Sequence, residues 1–422
     1  MDRKDNAVKR LLNRLGPGLI TGASGDEPSG IVAFSQAGAR FGFATLWTAI
    51  ASVPLMIVVQ HICAKIGMVS GRGLAGVLRR YYPKKLLYPV VIGLVIANTI
   101  NAGADIAAIA AAVNMFIPIP ISAMVVPIAG SIVALQIWGS YRLIVKVFKW
   151  LTLSLFAYVI AAFLAKPDWN AVFWATFVPQ ISFTSEYITT IVAILGTTIS
   201  PYLFFWEASE EVEEEKSEGR ATVNARRGAT DAEMRKEKID TIVGMLFCNV
   251  VVYFVILAAG MTLHVSGKTE IQSATEAAEA LRPFAGDLAT ILFAIGLIGA
   301  GLLAIPVLTG SAAFAVAETF GWPSGLDEKP RHAKKFYGVI AASTLVGVGI
   351  DFAGINPISA LFWTAVINGV IAPPLLVVVM LVANNKRVMG KRTNGVFTNI
   401  VGWLAAAVMF AAAIMMFVTW GS

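Results

Sequence analysis

The chain has 422 residues, of which 57% are hydrophobic and only 14% are charged. A soluble domain carries about 25% charged residues, so this composition argues against a soluble protein and predicts an integral membrane protein. The formal net charge of +7 raises the question of nucleic-acid binding, which the distribution of the charges decides. Cys63 and Cys248 lie in apolar stretches without metal-type spacing, which predicts packing roles for both.

Eleven apolar stretches are long enough, at roughly 20 residues each, to cross a bilayer as helices. In chain order they are predicted at 15–37, 43–66, 86–113, 119–138, 148–166, 187–209, 237–263, 285–317, 336–352, 357–384 and 396–420. A charged N-terminal arm covers residues 1–14, and a charged loop covers residues 210–236. Pro306 leaves the limits of the eighth span open, because a proline can kink a helix.

Basic residues are concentrated in alternate connections between the predicted spans. All of the 33 Lys and Arg residues lie on one side of the membrane in this topology, apart from Arg40, Lys166, Lys268 and Arg282. Because Lys and Arg favour cytoplasmic loops, the pattern predicts a cytoplasmic N-terminus and an external C-terminus, in a bacterial inner membrane. The positive net charge therefore reflects insertion into the membrane, and a nucleic-acid partner has little support.

Helix-breaking residues interrupt the first and the sixth span, at Gly22–Gly30 and Gly196–Tyr202. These spans open two sets of five, a first repeat at 15–166 and a second at 187–384, with the eleventh span appended. An odd number of helices per repeat gives the two halves opposite orientations. Interrupted helices at matching positions point to a transporter binding site near the bilayer midplane. The sequence thus predicts an all-α secondary transporter and no catalysis.

Four motifs occur in order along the chain. They are Gly16-Pro17-Gly18-Leu19 before the first break, Gly71-Arg72-Gly73-Leu74-Ala75 with Arg79 and Tyr82-Pro83, Thr309-Gly310 with Glu318, Phe320 and Gly321-Trp322, and Asn385-Lys386 with Met389-Gly390. Together they resemble the NRAMP family of proton-coupled divalent metal transporters. The resemblance implies a LeuT-like 5+5 inverted repeat with broken helices 1 and 6, and a substrate site between those two helices.

The transport-site motifs depart from the family pattern. The family's Asp-Pro-Gly-Asn corresponds here to Glu27-Pro28-Ser29-Gly30, so Glu27 replaces Asp and Gly30 replaces the Asn ligand. The family's Met-Pro-His corresponds to Ser200-Pro201-Tyr202. The carbonyl ligand one turn earlier would come from Thr197, and Glu207 replaces a second His. This pattern is closer to the Met-less, magnesium-transporting branch of the family.

The replacement of a soft Met thioether by a Ser hydroxyl predicts a site made of oxygen atoms. Its ligands would be the carboxylates of Glu27 and Asp26, the Ser200 hydroxyl, carbonyls near Ser24 and Thr197, and water. Oxygen ligands suit Mg²⁺ or Mn²⁺ as the transported ion. The small residues at the breaks, Gly30 among them, also leave room for a small organic solute, which is the alternative substrate class.

Each of these residues also has a structural interpretation. Asp26 and Glu27 could cap the second half of a broken helix. The Ser200 and Thr197 hydroxyls could bond back to carbonyls of their own helix. Tyr202 could close the site or simply pack in it. An intramembrane carboxylate is nevertheless a functional candidate by default, so we expect Glu27 to supply the main charge.

The resemblance also implies an altered proton pathway. Asp105 matches a family carboxylate, but Asn98 stands where a Glu is expected, which predicts weak or absent proton coupling. Asp105 would be a relay member or half of a buried pair with Lys334 or Lys335. Asn98 itself is of a type that more often joins helices by hydrogen bonds.

An acidic run begins at Glu207 and continues with Glu210, Glu211, Glu213, Glu214, Glu215 and Glu218. Spacings of three and four place Glu207, Glu211, Glu214 and Glu218 on one helix face. The run is either an electronegative vestibule for cations or a solvated helix end. The sequence favours the solvated end for the run, and keeps Glu207 as a pore or gating residue.

Overall fold

The computed structural model describes residues 21–22, 24–139, 156–282, 286–326 and 328–420, which are almost entirely helical. The predicted N-terminal arm at 1–14, the first residues of the span at 15–37 and the first half of the span at 148–166 lie outside the described residues. So does residue 285, the predicted start of the eighth span.

The described helices are numbered in chain order. They are α1 (Pro28–Phe41), α2 (Leu46–Ser70), α3 (Leu74–Tyr81), α4 (Lys84–Asn114), α5 (Ile121–Trp138), α6 (Ala157–Leu164), α7 (Trp169–Phe177), α8 (Ser185–Thr198), α9 (Pro201–Ser217), α10 (Val223–Arg226), α11 (Asp231–Ala259), α12 (Ala274–Ala278), α13 (Ala289–Phe320), α14 (Lys334–Asp351), α15 (Pro357–Ala383), α16 (Lys386–Met389) and α17 (Val396–Val418). A π-helical turn, Gly260–His264, extends α11, and 3₁₀ turns lie at Glu279–Leu281 and Gly286–Leu288.

Eight helical segments within the described residues are long and apolar enough to cross a membrane. They are Leu46–Ser70, Lys84–Asn114, Ile121–Trp138, Ser185–Ser217, Asp231–His264, Ala289–Phe320, Pro357–Ala383 and Val396–Val418. Each corresponds to a predicted span, while the number eleven stays a prediction. The eighth predicted span forms one helix, α13, with Pro306 in its interior. The seventh begins earlier than expected because Thr230 and Glu233 form a capping box at its start.

The connections gather at two opposite ends of the helical bundle. One end, here called the charged face, brings α16 beside Tyr82, since Asn385 donates a 3.2 Å hydrogen bond to the Tyr82 hydroxyl. Arg392 pairs with Asp231 at the same end, at 2.6 Å. The other end, called the opposite face, holds Asn356, which donates a 3.0 Å hydrogen bond to the carbonyl of Gln272.

Both predicted breaks are present in the fold. Residues 24 and 25 are helical, Asp26 and Glu27 leave the helix, and α1 begins at Pro28. In the second break, α8 ends at Thr198 and α9 begins at Pro201, after an extended Ser200. A proline at the first helical position has no N–H group, so each second half begins with one unpaired donor fewer.

Two sequence motifs that are distant along the chain meet at the charged face. The carboxylate of Glu318, near the end of α13, accepts hydrogen bonds from the backbone N–H groups of Gly73 (2.8 Å) and Gly76 (2.9 Å) at the start of α3. A negative charge at a helix N-terminus is stabilised by the free N–H groups there. A Cβ on Gly73 would lie only 2.5 Å from Glu318 Oε1, so this contact requires glycine.

We therefore expect Gly73→Ala to displace the Glu318 carboxylate and destabilise the protein by about 1–3 kcal/mol, the cost of losing hydrogen bonds to a partly buried charged group. Gly93→Ala in α4 is the matched control, because nothing lies within 4 Å of its added Cβ. Thermal unfolding in detergent, followed by tryptophan fluorescence, measures both variants. Equal melting temperatures for the two would contradict the assigned role of Gly73.

Candidate functional site

A hydrogen bond joins the two helix breaks. The Tyr202 hydroxyl, in the first turn of α9, donates to the carbonyl of Ser24 at 3.0 Å. Ser24 lies in the last turn of the helical piece before the first break, where carbonyls lack intrahelical partners. Tyr202 is fully buried, so the contact lies inside the bundle. The two breaks thus face each other, as the sequence predicts, and Tyr202 closes the gap between them.

Glu27 is fully buried and faces α4. Its Oε1 accepts a 2.7 Å hydrogen bond from the Ser29 hydroxyl, and its Oε2 accepts a 2.9 Å hydrogen bond from the Asn101 side-chain amide. A buried carboxylate needs hydrogen bonds to remain in an apolar interior. Both donors are neutral, so they hold the side chain in place without cancelling its charge.

Asp26 faces a different helix from Glu27. Its Oδ1 accepts a 3.2 Å hydrogen bond from the thiol of Cys248 in α11, while its Oδ2 has no hydrogen-bond partner among the described residues. Gly25 permits this approach, because a Cβ there would lie 3.3 Å from the Cys248 sulfur. The two adjacent carboxylates therefore diverge towards α11 and α4.

The position of Cys248 corrects the interpretation of the sequence. Its thiol contacts Asp26 at the first break, so its role is not packing alone, and the surroundings of the break are not made of oxygen atoms only. Thiol sulfur is a soft ligand that favours transition metals over Mg²⁺. One weak signal is present in the sequence, the pair Cys248-Asn249 in an apolar span, but it cannot show what the thiol faces.

Asp105 lies on the same face of α4 as Asn101, one turn further along. It is fully buried, and neither of its carboxylate oxygens has a hydrogen-bond partner among the described residues. It is close enough to Glu27 for the two charges to interact. Asn101 was missed in the sequence, although the spacing Asn98, Asn101, Asp105 marks a polar stripe on one helix face.

The predicted pair between Asp105 and Lys334 or Lys335 is absent from the described residues. Both lysines are exposed at the start of α14, and Lys335 lies over the ring of Trp322, 4.7 Å from its centroid. A long, charged side chain at a helix end is stabilised by water and an aromatic face more readily than by burial.

Asn98 makes the contact that its residue type favours. Its side-chain amide donates to the carbonyl of Leu308 at 2.9 Å and to the hydroxyl of Ser311 at 2.6 Å, both in α13. These hydrogen bonds join two membrane helices.

The hydroxyls of the second break bond back to their own helix. Ser200 donates to the carbonyls of Gly196 (2.8 Å) and Thr197 (2.7 Å), and the Thr197 hydroxyl donates to the carbonyl of Ile194 at 3.0 Å. This arrangement is common for Ser and Thr in helices. The Ser200 oxygen still keeps a lone pair for a ligand, since its only proton is used.

The free space expected beside Gly30 is filled. A Cβ on Gly30 would lie 3.2 Å from the ring of Phe34, one turn further along α1. Residues four apart share a helix face, so the Phe34 ring covers the position that the family's Asn would use. The Phe34 ring therefore lies in part of the space that was expected beside Gly30, and room for a larger substrate there stays a prediction.

Glu207 provides a second contact between α9 and the helix before the first break. Its Oε2 accepts a hydrogen bond from the hydroxyl of Thr21, and its Oε1 has no partner among the described residues. The side chain is fully buried. Glu207 thus lies beside the first broken helix, two turns beyond Ser200, on the side of the charged face.

Within the described residues, no three His, Cys, Asp or Glu side chains are grouped closely enough to hold a metal ion directly. A cation bound at the breaks would need backbone carbonyls, hydroxyls and water to complete its coordination. Broken helices supply such carbonyls, since their ends leave backbone groups unpaired.

Comparisons with known proteins agree with this geometry. The Nramp family model, described as natural resistance-associated macrophage protein-like, matches residues 18–419. The divalent metal cation transporter MntH of Bacillus subtilis is 26% identical, over 99% of this chain and 95% of that protein. MntH of Deinococcus radiodurans is 25% identical, over 96% of this chain and 89% of that protein.

Solved structures show the same fold. The manganese transporter of Eremococcus coleocola superposes with a TM-score of 0.73 at 17% identity, covering 99% of this chain and 88% of the other. Mhp1, in an inward-facing conformation, gives a TM-score of 0.57 at 14% identity, covering 95% and 90%. With nearly its whole length matched by the family model, this chain is an integral membrane protein and belongs to the Nramp family.

Proposed function

We propose that the protein carries a divalent metal cation across the bilayer, bound between the two helix breaks. The proposal rests on Asp26 and Glu27, which are buried at the first break. Their hydrogen bonds within the described residues come from neutral groups. Unpaired buried carboxylates are costly unless a cation joins them. The names of the MntH relatives and of the manganese transporter support a metal cation as that partner.

The ligands would come from both breaks. Glu27 and Asp26 supply charge, Ser200 supplies a hydroxyl oxygen, and the carbonyls of Thr197 and Ser24 supply dipoles. The Ser24 carbonyl is occupied by Tyr202, so Tyr202 would release it when the ion binds. Tyr202 then acts as the gate between the breaks, while Glu207 lies on the pathway towards the charged face.

We propose Mg²⁺ or Mn²⁺ as the ion, with Cys248 as the residue that discriminates between them. Mg²⁺ accepts oxygen ligands and dehydrates reluctantly, whereas Mn²⁺ lies nearer to the metals that tolerate softer donors. A thiol beside Asp26 therefore shifts the preference towards Mn²⁺.

A small organic solute stays the alternative substrate class, although the Phe34 ring lies in part of the space that it would need beside Gly30.

The transport cycle would follow from the fold. We propose a 5+5 inverted repeat, residues 15–166 and 187–384, in which one bundle rocks against the other. The charged face would be cytoplasmic, with the N-terminus inside and the C-terminus outside a bacterial inner membrane. Proton coupling would be weak or absent, because Asn98 stands where the family has a Glu and Tyr202 stands where it has a His.

Glu27→Gln removes the charge at nearly constant shape and should weaken Mn²⁺ and Mg²⁺ binding by more than about tenfold, since a charged ligand is lost. Isothermal calorimetry on the purified protein measures this. Glu186→Gln, an exposed residue of α8 at the opposite face, is the control for the change in charge. Normal binding by the Glu27 variant would refute the site, and no heat from any ion would favour the organic solute.

Cys248→Ser replaces a soft donor by a hard one. We therefore expect the ratio of Cd²⁺ affinity to Mg²⁺ affinity to fall by about tenfold, and the ratio of Mn²⁺ affinity to Mg²⁺ affinity to fall by less. Competition calorimetry with the three ions gives this ratio. Cys63→Ser, the other buried cysteine, is the matched control and should leave the ratio unchanged. A ratio unaffected by the Cys248 substitution would show that the thiol does not reach the ion.

Tyr202→Phe removes the hydrogen bond between the Tyr202 hydroxyl and the Ser24 carbonyl. The equilibrium constant for opening of the site should rise by about two- to tenfold, as expected for the loss of one buried hydrogen bond. The rate of maleimide labelling of Cys248, measured in a Cys63→Ser background, reports this opening because Cys248 is fully buried. An unchanged labelling rate would mean that Tyr202 does not hold the breaks together.

A further inference from the structure

An acidic cavity, separate from the helix breaks, lies at the charged face between α9 and α11. It has a volume of about 70 Å³, enough for several water molecules. Its lining contains seven acidic side chains and two basic ones: Glu211, Glu214, Glu215, Glu218, Glu233, Glu237, Asp240, Arg220 and Lys236, together with Met68. Carboxylates therefore outnumber cations in a small, partly enclosed space.

The two basic residues are shared among several of these carboxylates. Lys236 pairs with Glu214 at 2.9 Å. Arg220 lies 3.3 Å from both Glu215 and Glu218, and also pairs with Glu233. The hydrogen bond to Glu233 raises the pKa of Arg220, so its charge is permanent. Even so, one guanidinium cannot neutralise three carboxylates.

Glu237 draws its partners from outside the lining. Its Oε2 lies 2.7 Å from His61 Nδ1, and its Oε1 accepts a 2.9 Å hydrogen bond from Thr241. It is held in place without using Arg220 or Lys236.

Glu211 is the residue that this network leaves out. Its side chain lines the cavity and is only 5% exposed, yet no hydrogen bond or ion pair reaches it in the described part of the chain. Four carboxylates act on it, those of Glu207, Glu214, Glu237 and Asp240, whereas Lys236 acts on it only from a distance, because its ammonium group pairs with Glu214. Glu215 adds an Oε2 atom without a partner. A buried, unpaired carboxylate among other carboxylates is costly, and a bound cation would lower that cost.

We propose that this cavity is a second binding site for a divalent cation, Mg²⁺ or Mn²⁺, held with its water shell by Glu211 and Glu215. Water mediates the contacts because no three acidic side chains among the described residues are grouped for direct chelation. Mg²⁺ commonly binds in this way, since it gives up its waters reluctantly. The cavity lies roughly 16 Å along α9 from Ser200, so it is separate from the breaks.

The cavity would hold ions between the breaks and the aqueous phase. Glu207 lies on the same face of α9, one turn before Glu211, and provides a carboxylate between the two sites. This role in transport rests on the proposed function, whereas binding in the cavity does not. The two can therefore be tested separately on the same protein.

Binding of Mn²⁺ to the purified protein, followed by the loss of the free-ion signal in electron paramagnetic resonance, counts the sites. We expect Glu211→Gln to bind one Mn²⁺ fewer per chain than the wild type, or to bind it about tenfold more weakly. Glu213→Gln is the control, because Glu213 lies on the same helix but pairs with Lys216 and does not line the cavity. It should bind like the wild type.

Glu211→Gln removes an unpaired charge without changing shape, so it should fold, and Glu215→Gln provides a second test of the same cavity. Wild-type binding by both variants would overturn the proposal. An equal loss of bound Mn²⁺ in Glu213→Gln would also overturn it, because the loss would then reflect the net charge of the surface and not binding in the cavity. Loss of one ion in Glu211→Gln, with no loss in Glu27→Gln, would uphold the cavity and reject the site at the breaks.

Discussion

The structure depends on keeping several carboxylates inside an apolar bundle, with no basic partner in the part of the chain that the structure describes. Asp26, Glu27, Asp105 and Glu207 are all buried, and the hydrogen bonds that reach them come from neutral groups. Each partner lies on a different segment: Asn101 on α4, Cys248 on α11 and Thr21 before the first break. The helices are therefore arranged around buried carboxylates, which the proposed cation would neutralise.

The strength of the contacts differs between the breaks and the charged face. The breaks are joined by single hydrogen bonds, Tyr202 to Ser24 and Thr21 to Glu207. The charged face is fastened by Glu318 at the start of α3 and by several ion pairs. A single hydrogen bond is worth only about 1 kcal/mol, so the hydrogen bonds between the breaks are weaker than the network at the charged face. The alternating access that we propose needs this combination of a weak contact and a rigid frame.

The breaks were predictable from sequence because their signal is local. A continuous membrane helix is disfavoured by glycine, proline and a carboxylate inside an apolar stretch. This holds whichever helices are its neighbours. The contacts of the site were not predictable, because they depend on which helix faces which. Nothing local to Cys248 shows that it meets Asp26, or that Phe34 fills the space beside Gly30. The expected pair of Asp105 with a lysine failed for the same reason: Lys334 and Lys335 lie at the helix end, in water.

The acidic run on α9 is explained by the conflicting needs of a pathway for cations. A series of carboxylates, from Glu207 to Glu211 and on to the cavity, lowers the energy of a cation as it leaves the breaks. A site of that charge would also retain the ion, and conduction requires binding weak enough to permit release. Arg220 and Lys236 resolve the conflict, because they cancel part of the negative charge at the aqueous end. In the site that we propose, the ion itself is the partner of Glu211.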